Sequence, residues 1–412
     1  MTALDSNLSR PTIAKNSAMQ SRSRAREIRR VDLSDVELAS SGTARRINRD
    51  IVLELIRTRQ PISRAELARQ SGLQRSTVSQ IIEQLLAEKW VCEGSTAVLP
   101  RGRRPTLIRL NESLLAVAVD IHPRQATIAM VDLNGRLVSK SLAPLTRDAV
   151  ASTDLILEAM SGLRAELVEM SIEGIGISFP GRVDPHSDQL LFAPNLHWRG
   201  FDLKGAIEKR MKLPVHVAKD SMACLLAQLT FHHEESNRDA VLITISDGVG
   251  AAIFANGSII TGHDGMAGEF GHISIDPQGP PCACERRGCW EVFASCRAAL
   301  RYFGELRPQH RPLTFSDLVQ LAEQGDEDAG AALERQAQEI GQGLRLVVAA
   351  LSPAVVYITG EVTSAWHRYR PTIEKAIRTI TIAGSPPAVV PAPDGDLARL
   401  RGAAALVFQR RT

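Results

Sequence analysis

The sequence predicts a two-lobed α/β body preceded by a winged helix-turn-helix. Hairpins and crossover helices alternate twice in the second part of the chain, whereas a short helix, a glycine turn and an amphipathic helix follow one another in the first part. Residues 1–110 carry 20 Lys and Arg against 11 Asp and Glu, and the remainder carries 29 against 35. A basic front on an acidic body favours contact between the front and a polyanion. A solvated basic surface is the alternative that charge alone leaves open.

Length and composition narrow the class of protein. The 412 residues predict two or three domains, and 44% hydrophobic with 23% charged residues is typical of a globular protein. No apolar run reaches the roughly 20 residues of a membrane span, and the first residues lack the apolar core of a secretion signal. We therefore expect a cytoplasmic protein without a membrane span, in which thiols stay reduced and clustered cysteines indicate a metal.

The first 42 residues are predicted to form a disordered basic arm. They are polar and irregular, and they contain the basic run Ser21–Arg26 followed by Arg29 and Arg30. The arm either adds non-specific phosphate contacts or is a solvated tail.

Residues 43–112 are predicted to form the winged helix-turn-helix domain. Apolar residues between Ile47 and Ile56 (Ile47, Ile51, Val52, Leu55 and Ile56) form one helical stripe. Ser63 and Glu66 have the spacing of a capping box at the start of a second helix, and Gly72 ends that helix. A third helix opens near residue 75.

The polar first turns of the third helix are predicted to read DNA, because the second helix of such a motif enters the major groove. A basic wing loop is predicted between two strands, where Gly102 and Pro105 make it stiff enough for the minor groove. A three-helix bundle used for protein contact is the alternative. The predicted DNA contacts are Gln74, Arg75, Ser76, Thr77, Ser79, Gln80, Arg101, Arg103 and Arg104.

The body, residues 113–412, shows the same strand pattern twice. Strands are predicted at 117–121 and 126–131 with a hairpin turn at Asn134-Gly135, and again at 241–245 and 250–254 with a turn at Asn256-Gly257. Further strands are predicted at 174–179, 214–218 and 355–359, and helices at 152–170, from Asp220 onward and through 291–350.

Three of the six cysteines fall within eight residues, close behind a histidine. His272, Cys282, Cys284 and Cys289 are the right number and type of ligand for a closed tetrahedral zinc site. Since all four positions are filled by protein, no position remains for a metal-bound water, and we expect structural zinc.

These motifs resemble the ROK family (repressors, open reading frames and sugar kinases), in its transcriptional-regulator branch. The resemblance covers about residues 43–412 and implies an actin-like or hexokinase-like, ribonuclease H-like body that binds ligand between its lobes. Its most specific part is Gly268-Glu269-Phe-Gly271-His272, then Cys282-x-Cys284, then Gly288-Cys289-x-Glu291. Glu285 stands where the family usually has glycine.

The resemblance also implies an effector site. Asp220 occupies the position of the base that activates a sugar hydroxyl in the family's kinases. The family's sugar contacts map onto Asn195, Glu269, His272 and Glu291. Lys219 replaces the asparagine that precedes this aspartate in the kinases. It either supplies charge to an acidic or phosphorylated effector, or pairs with Asp220 or Glu269 in an empty cleft.

Departures from the kinase pattern argue against phosphotransfer. In Asp120-Ile-His122-Pro123-Arg124, Pro123 removes a backbone donor where the kinases have a glycine-rich phosphate loop. Lys219 replaces the kinase asparagine, and Glu361 after Gly360 adds a negative charge near the expected nucleotide site.

We therefore expect a non-enzymatic regulator, most simply a repressor of carbohydrate genes. Its partners are expected to be a double-stranded DNA operator and a sugar or sugar-derivative effector. Its oligomeric state is expected to be a homodimer or homotetramer. Two alternatives stay open: an active ATP-dependent sugar kinase that carries a DNA-binding domain, and a regulator controlled by a protein partner.

Overall fold

The computed structural model describes residues 41–96, 106–184, 187–193, 196, 198–232, 239–309, 311–379, 385–393 and 395–409. The predicted arm up to residue 40, the wing residues Arg101, Arg103 and Arg104, and Asn195 lie outside the described residues. The chain divides after Arg45: residues 41–45 belong to the first unit, and the elements described below belong to the second, compact unit.

The head, residues 46–111, contains the predicted helix-turn-helix and the two wing strands. Strand β3 lies between β1 and β2 in a three-stranded antiparallel sheet. The elements are α1 (Ser41–Arg59, which begins in the first unit), β1 (Ile62–Ser63), α2 (Arg64–Ser71), α3 (Arg75–Ala87), β2 (Val91–Thr96) and β3 (Thr106–Leu110).

The predicted single apolar stripe on α1 is wrong for its first two members. Ile47 and Ile51 are 51% and 39% exposed, whereas Val52 and Ile56 are fully buried. The inward face continues through Arg49, three residues before Val52, because three- and four-residue steps share one face of a helix. The Arg49 guanidinium donates to Glu88 at 2.5 Å and lies 5.4 Å from the centre of the Trp90 ring.

The capping box at the start of α2 is half formed. Ser63 Oγ accepts a hydrogen bond from the Glu66 backbone N–H at 3.2 Å, as predicted. The Glu66 carboxylate accepts from Arg69 and Gln70 within the helix. Gly72 ends α2 with φ of 70°, in the left-handed region that favours glycine.

The body, residues 114–409, is built on two five-stranded sheets. The first lobe contains β4 (Leu114–Ile121), β5 (Gln125–Asp132), β6 (Leu137–Pro144), α4 (Ala149–Glu166), β7 (Ser171–Phe179), β8 (Arg182–Val183), β9 (Leu190–Ala193), β10 (Trp198–Arg199), α5 (Leu203–Met211) and β11 (Val215–Lys219). Next come α6 (Asp220–Phe231), then β12 (Ala240–Ile245), β13 (Val249–Ala255), β14 (Ser258–Ile260), α7 (Glu291–Ala294), α8 (Cys296–Leu306), α9 (Phe315–Glu323), α10 (Glu327–Leu351), β15 (Val355–Thr359), α11 (Trp366–Arg378), β16 (Ala388–Pro391) and α12 (Ala398–Gln409).

The two large sheets have the same topology. Their strand orders are β6-β5-β4-β7-β11 and β14-β13-β12-β15-β16. In each, a three-stranded antiparallel meander is extended by two strands parallel to its first strand. The repeated strand pattern predicted from sequence is therefore confirmed, and with it a two-lobed α/β body.

Helices α6 and α12 form a layer between the two sheets. Helix α12 packs on β4 and β7 of the first lobe, α6 packs on β12 and β13 of the second, and the two helices pack on each other. Every residue of α12 except Arg401 and Gln409 is buried. Small residues permit this packing, since a Cβ on Gly402 would lie 1.8 Å from the Ala223 carbonyl oxygen.

One apolar core joins the head to the body. The buried side chains of Ile82 and Trp90 in the head belong to the same cluster as Leu400 and Phe408 of α12. The Trp90 and Phe408 rings meet edge to face, with centroids 6.3 Å apart. None of the described helices has the length and apolar character needed to cross a bilayer.

The close approach of α6 and α12 makes Gly402 a sensitive position. We expect Gly402→Ala to destabilise the protein by about 1–3 kcal/mol, because the added methyl meets backbone and both helices must shift. Gly330→Ala in α10 is the matched control, since a Cβ there meets no heavy atom within 4 Å. Thermal unfolding should show a lower midpoint for the first variant and an unchanged or higher one for the second. Equal effects would contradict this account of the packing.

Candidate functional site

Parallel strands of the first lobe bring charged side chains to one edge of their sheet. Asp120 near the end of β4 is in register with Ser178 of β7, which is in register with Ala218, just before Lys219 and Asp220. The carboxyl ends of such strands are where α/β proteins place ligand sites. Two contacts cross from this edge to the second lobe: Arg182 donates to the Asp264 carbonyl at 3.1 Å, and Lys219 to Glu269.

Lys219 and Glu269 form an ion pair across the cleft. Lys219 Nζ donates to Glu269 Oε1 at 2.5 Å, and the other oxygen of Glu269 lies 3.9 Å from His272 Nε2. Both side chains of the pair are about one quarter exposed, so the pair is reachable by a ligand. Of the two partners predicted for Lys219 within the protein, Asp220 and Glu269, the ion pair is made with Glu269.

The four predicted metal ligands come together. One ligand atom from each of His272, Cys282, Cys284 and Cys289 lies within 4.8 Å of the others. Cys282 Sγ is 3.6 Å from His272 Nδ1, and Cys284 Sγ is 3.5 Å from Cys289 Sγ. A tetrahedron with metal–sulfur bonds of about 2.3 Å has sulfur–sulfur edges of about 3.8 Å, so the donor set fits a metal such as zinc.

Local backbone geometry shapes the metal loop. The Cys282 N–H donates to Arg286 O at 2.8 Å and Glu285 N–H to Cys282 O at 3.0 Å, which closes a tight turn. Glu285 adopts φ of 69° in that turn, the left-handed region that favours glycine. This conformation explains why glycine suits the position, and the glutamate side chain costs about 1 kcal/mol there.

Glu291 connects the metal cluster to the β12–β13 turn. Its Oε2 accepts from the Val249 N–H at 3.1 Å, and its Oε1 lies 3.9 Å from Cys282 Sγ and 3.8 Å from an Arg297 nitrogen. A Cβ on Gly248 would lie 2.6 Å from Glu291 Oε2. A side chain at position 248 would therefore displace the Glu291 carboxylate from this position.

Arg399 of α12 is a site residue that sequence reasoning missed. Its Nε donates to Asp120 Oδ2 at 3.0 Å, and His122 Nε2 lies 2.7 Å from the same oxygen. Burial raises the pKa of Asp120, but the His122 hydrogen bond and the Arg399 charge outweigh it and hold that pKa below its usual value. A charged residue inside an otherwise apolar helix was the available signal.

Two further predicted residues, Asp220 and Glu361, interact electrostatically with members of this cluster. Burial raises the pKa of Asp220, and the positive charges of Lys219 and Arg399 offset only part of that rise. The negative charge of Glu361 contributes to raising the pKa of His122, so the two loops that would flank a nucleotide interact electrostatically. Asn195 lies outside the described residues.

The start of α3 presents its polar residues to solvent. Gln74, which caps the helix, and Arg75, Ser76 and Gln80 are exposed, and Thr77 and Ser79 are half-buried. Val78, Ile81, Ile82 and Leu85 on the opposite face are buried. This is the arrangement that base and phosphate contacts require of a recognition helix.

A two-lobed α/β body that shares one apolar core with a winged helix-turn-helix head defines a two-part protein. The chain belongs to the ROK family, whose sequence model matches residues 116–410.

Two relatives and one solved structure illustrate the similarity. The chain is 28% identical over 331 residues to the xylose repressor of Bacillus subtilis, covering 79% of this chain and 85% of the relative. It is 28% identical over 357 residues to the DNA-binding transcriptional dual regulator NagC of Escherichia coli, covering 83% and 87%.

The crystal structure of a ROK family transcriptional regulator, described as a homolog of the E. coli MLC protein, superposes with a TM-score of 0.77 at 26% identity, covering 89% of this chain and 96% of that one. The predicted family, its regulator branch and the fold class are therefore confirmed.

The contact between His122 and Asp120 predicts a pH-dependent stability. Burial lowers the pKa of His122, but its hydrogen bond to Asp120 and the charge of Asp120 raise it above the ordinary value overall. A raised folded-state pKa stabilises the protein fully below the ordinary pKa of about 6.5, and this stabilisation is lost as the pH rises through the folded-state pKa.

We therefore expect His122→Gln to cost about 1 kcal/mol more near pH 5.5 than near pH 8.5, measured by denaturant unfolding. His263→Gln is the control, because that side chain is 97% exposed. A cost for His122→Gln that does not change with pH would contradict the assignment.

Proposed function

We propose that the protein is a DNA-binding transcriptional repressor of carbohydrate genes whose interlobe cleft binds a sugar or sugar derivative. The observation that carries the proposal is the shared core, in which the head packs directly on the body through Trp90 and Phe408. The body that would bind a ligand is therefore packed directly against the head that contains helix α3. Similarity to a xylose repressor and to NagC supports the same conclusion.

In this proposal the exposed start of α3 contacts DNA. Arg75, Gln74 and Gln80 supply the donors and acceptors that suit guanine and adenine edges, and Ser76, Thr77 and Ser79 suit phosphates or bases. Arg101, Arg103 and Arg104 are proposed to extend the contact from the wing. A homodimer or homotetramer would present two heads to two half-sites of a double-stranded operator.

The sugar half of the cleft offers both donors and acceptors. Lys219 and His272 donate, and Asp220, Glu269 and Glu291 accept, which is the mixture that neighbouring hydroxyl groups require. Asn195 is proposed as a further contact. A bound sugar would replace the ion pair between Lys219 and Glu269, which connects the two lobes.

The part of the cleft around Asp120, where the kinases bind nucleotide, favours a sensing role over phosphotransfer. The buried Arg399 guanidinium neutralises Asp120, which lies at the end of the first strand where the kinases begin their phosphate loop. Pro123 offers no backbone N–H to a phosphate, and Glu361 adds negative charge on the opposite side. An active sugar kinase is therefore the less supported candidate.

The metal centre is proposed to hold structural zinc. His272, Cys282, Cys284 and Cys289 would bind it, and the ion would supply only cross-linking of the loop that carries Glu269 and Glu291. His272 Nδ1 faces the thiols and its Nε2 faces Glu269, so the metal would also fix the ring that meets the sugar.

The DNA interface predicts a specific loss on substitution of Arg75. Arg75→Ala should weaken binding to the operator by about 1–3 kcal/mol and weaken binding to random DNA less, because a base contact carries sequence information. Fluorescence anisotropy at two salt concentrations measures both affinities. Arg370→Ala on α11, an exposed arginine far along the chain, is the matched control. Equal losses on both DNAs would assign Arg75 to phosphate alone.

The metal centre predicts a paired loss of zinc and stability. Cys284→Ser should bind zinc at less than the full equivalent and unfold at lower temperature, because a thiolate ligand is missing. Cys92→Ser, outside the cluster, should retain both. Elemental analysis with thermal unfolding is the measurement, and a zinc-free wild type would overturn the metal proposal.

The cleft predicts stabilisation by sugars without turnover. Millimolar xylose, N-acetylglucosamine or glucose should raise the unfolding midpoint of the wild type, and the rise should be lost in Glu269→Gln, because the carboxylate accepts from the ligand. Acidic and phosphorylated sugars test the alternative use of Lys219. A coupled assay with ATP and the same sugars should show no turnover.

Clear turnover in that assay would establish the kinase alternative. If no sugar shifts the midpoint, a protein partner becomes the preferred effector, and a pull-down against sugar-transport components would then be the next experiment.

A further inference from the structure

Helices α6 and α12 both start at the cleft, and α12 ends at the head while α6 ends at the Asn134-Gly135 turn that is bonded to the head. Helix α6 begins with Asp220, and α12 carries Arg399 in its first turn, on Asp120. Arg399 also acts electrostatically on Asp220, so the two helix starts share one charge cluster. A group that displaces any member of this cluster changes the forces on the starts of both helices.

The other ends of the two helices lie against the head and the turn beneath it. Phe408, in the last turn of α12, meets the Trp90 ring of the head, which also lies under Arg49. Phe231 at the end of α6 packs on Gly135, where a Cβ would lie 2.8 Å from the ring.

The same turn is bonded to the head. Asn134 Oδ1 accepts from Gln60 Nε2 at 2.6 Å, and Gln60 Oε1 accepts from the Leu110 N–H at 2.8 Å. Leu110 ends β3, the strand that leads from the wing. Arg401 of α12 donates to the Gly135 carbonyl at 2.8 Å, so both helices act on this turn.

Helices α6 and α12 pack tightly against each other along their length. The missing side chain of Gly402 lets α12 contact the backbone of α6 at Ala223, and Gln409 Nε2 donates to Thr230 Oγ1 at 2.8 Å near the two helix ends. Close-packed helices of this kind transmit displacement because their interface does not compress. A shift at the cleft therefore reaches Phe408 and Phe231 together.

We propose that α6 and α12 act as one rigid pair that transmits the state of the cleft to the head, through Phe408 on Trp90 and through the Asn134–Gln60 bond. The proposal rests on the proposed function for the ligand and the DNA, and it names the regulatory route between them. By linkage, the route works in both directions: DNA on the head must change the cleft as much as a sugar changes the head.

Hydrogen exchange of the full chain, read by mass spectrometry, tests the route in both directions. In the wild type, millimolar xylose, N-acetylglucosamine or glucose should change amide exchange in peptides covering 60–63, 88–93 and 106–111, besides the cleft peptide 266–273. A random-sequence DNA duplex at low salt should change exchange in the cleft peptide. Changes of about fivefold or more correspond to a typical coupling between two sites.

Two variants interrupt the route without touching the cleft. Phe408→Leu keeps an apolar side chain but removes the ring contact with Trp90, and Asn134→Ala removes the bond to Gln60. Each should retain the sugar response of the cleft peptide and reduce the response in the head, because each removes one of the two contacts. Phe303→Leu is the matched control, because Phe303 is as buried as Phe408, each being 1% exposed, but lies in the second lobe. In the Phe303→Leu variant, sugar should still change amide exchange in the head.

The outcomes are separable. A head that does not respond while the cleft peptide does, or a head response that is undiminished in both variants, overturns the route. If Phe408→Leu does not fold, Asn134→Ala decides. If no sugar changes the cleft peptide, the effector part of the proposed function fails, and the DNA direction still decides between a coupled and an uncoupled cleft.

Discussion

The burial of α12 is the constraint on which the rest of the structure depends. Ten of its twelve residues are buried, because the helix fills the space between the first sheet, α6 and the head. Its small residues admit backbone contacts, and its Phe408 completes the core of a head that begins some 350 residues earlier in the chain. A compact domain of the size of this head buries little surface by itself, so packing on the body stabilises it. Helix α3 thus belongs to a head that shares its core with the body.

The same helix changes the chemistry of the cleft. Arg399 enters from α12 and neutralises Asp120, which would otherwise be a buried carboxylate near the phosphate position of a kinase. Removing one partner of a buried pair costs about 3–5 kcal/mol, so this pair resists displacement by a competing charge. Lys219 and Glu269, in contrast, form a more exposed pair, which a ligand can replace. The cleft therefore combines one ion pair that resists displacement with another that a ligand can displace, and this combination is compatible with a sensing role.

The loop that contains His272, Cys282, Cys284 and Cys289 connects the packing of the second lobe to the charges of the cleft. Its cysteines and His272 lie close in sequence, and tight turns bring their ligand atoms together. The loop also orients Glu269 and Glu291, and the glycines at 248 and 271 make room for the neighbouring carboxylate and for the Val249 carbonyl. This small element thus positions Glu269, which meets Lys219 across the cleft. The wing tip and Asn195 remain predictions from sequence, as do the domain boundaries and the oligomeric state.

The sequence by itself determined what depends on neighbours along the chain. The strand repeat, the Asn-Gly hairpins, the helix-turn-helix and the four metal ligands follow from short-range patterns, because turn residues, periodicity and ligand spacing act within a few residues. Only the tertiary structure decided that Arg399 hydrogen-bonds to Asp120, 279 residues away, and that Lys219 pairs with Glu269 and not with Asp220. It also placed Arg49 inside and Ile47 outside. These outcomes depend on which surfaces meet once the sheets and helices pack, and no local pattern specifies that meeting.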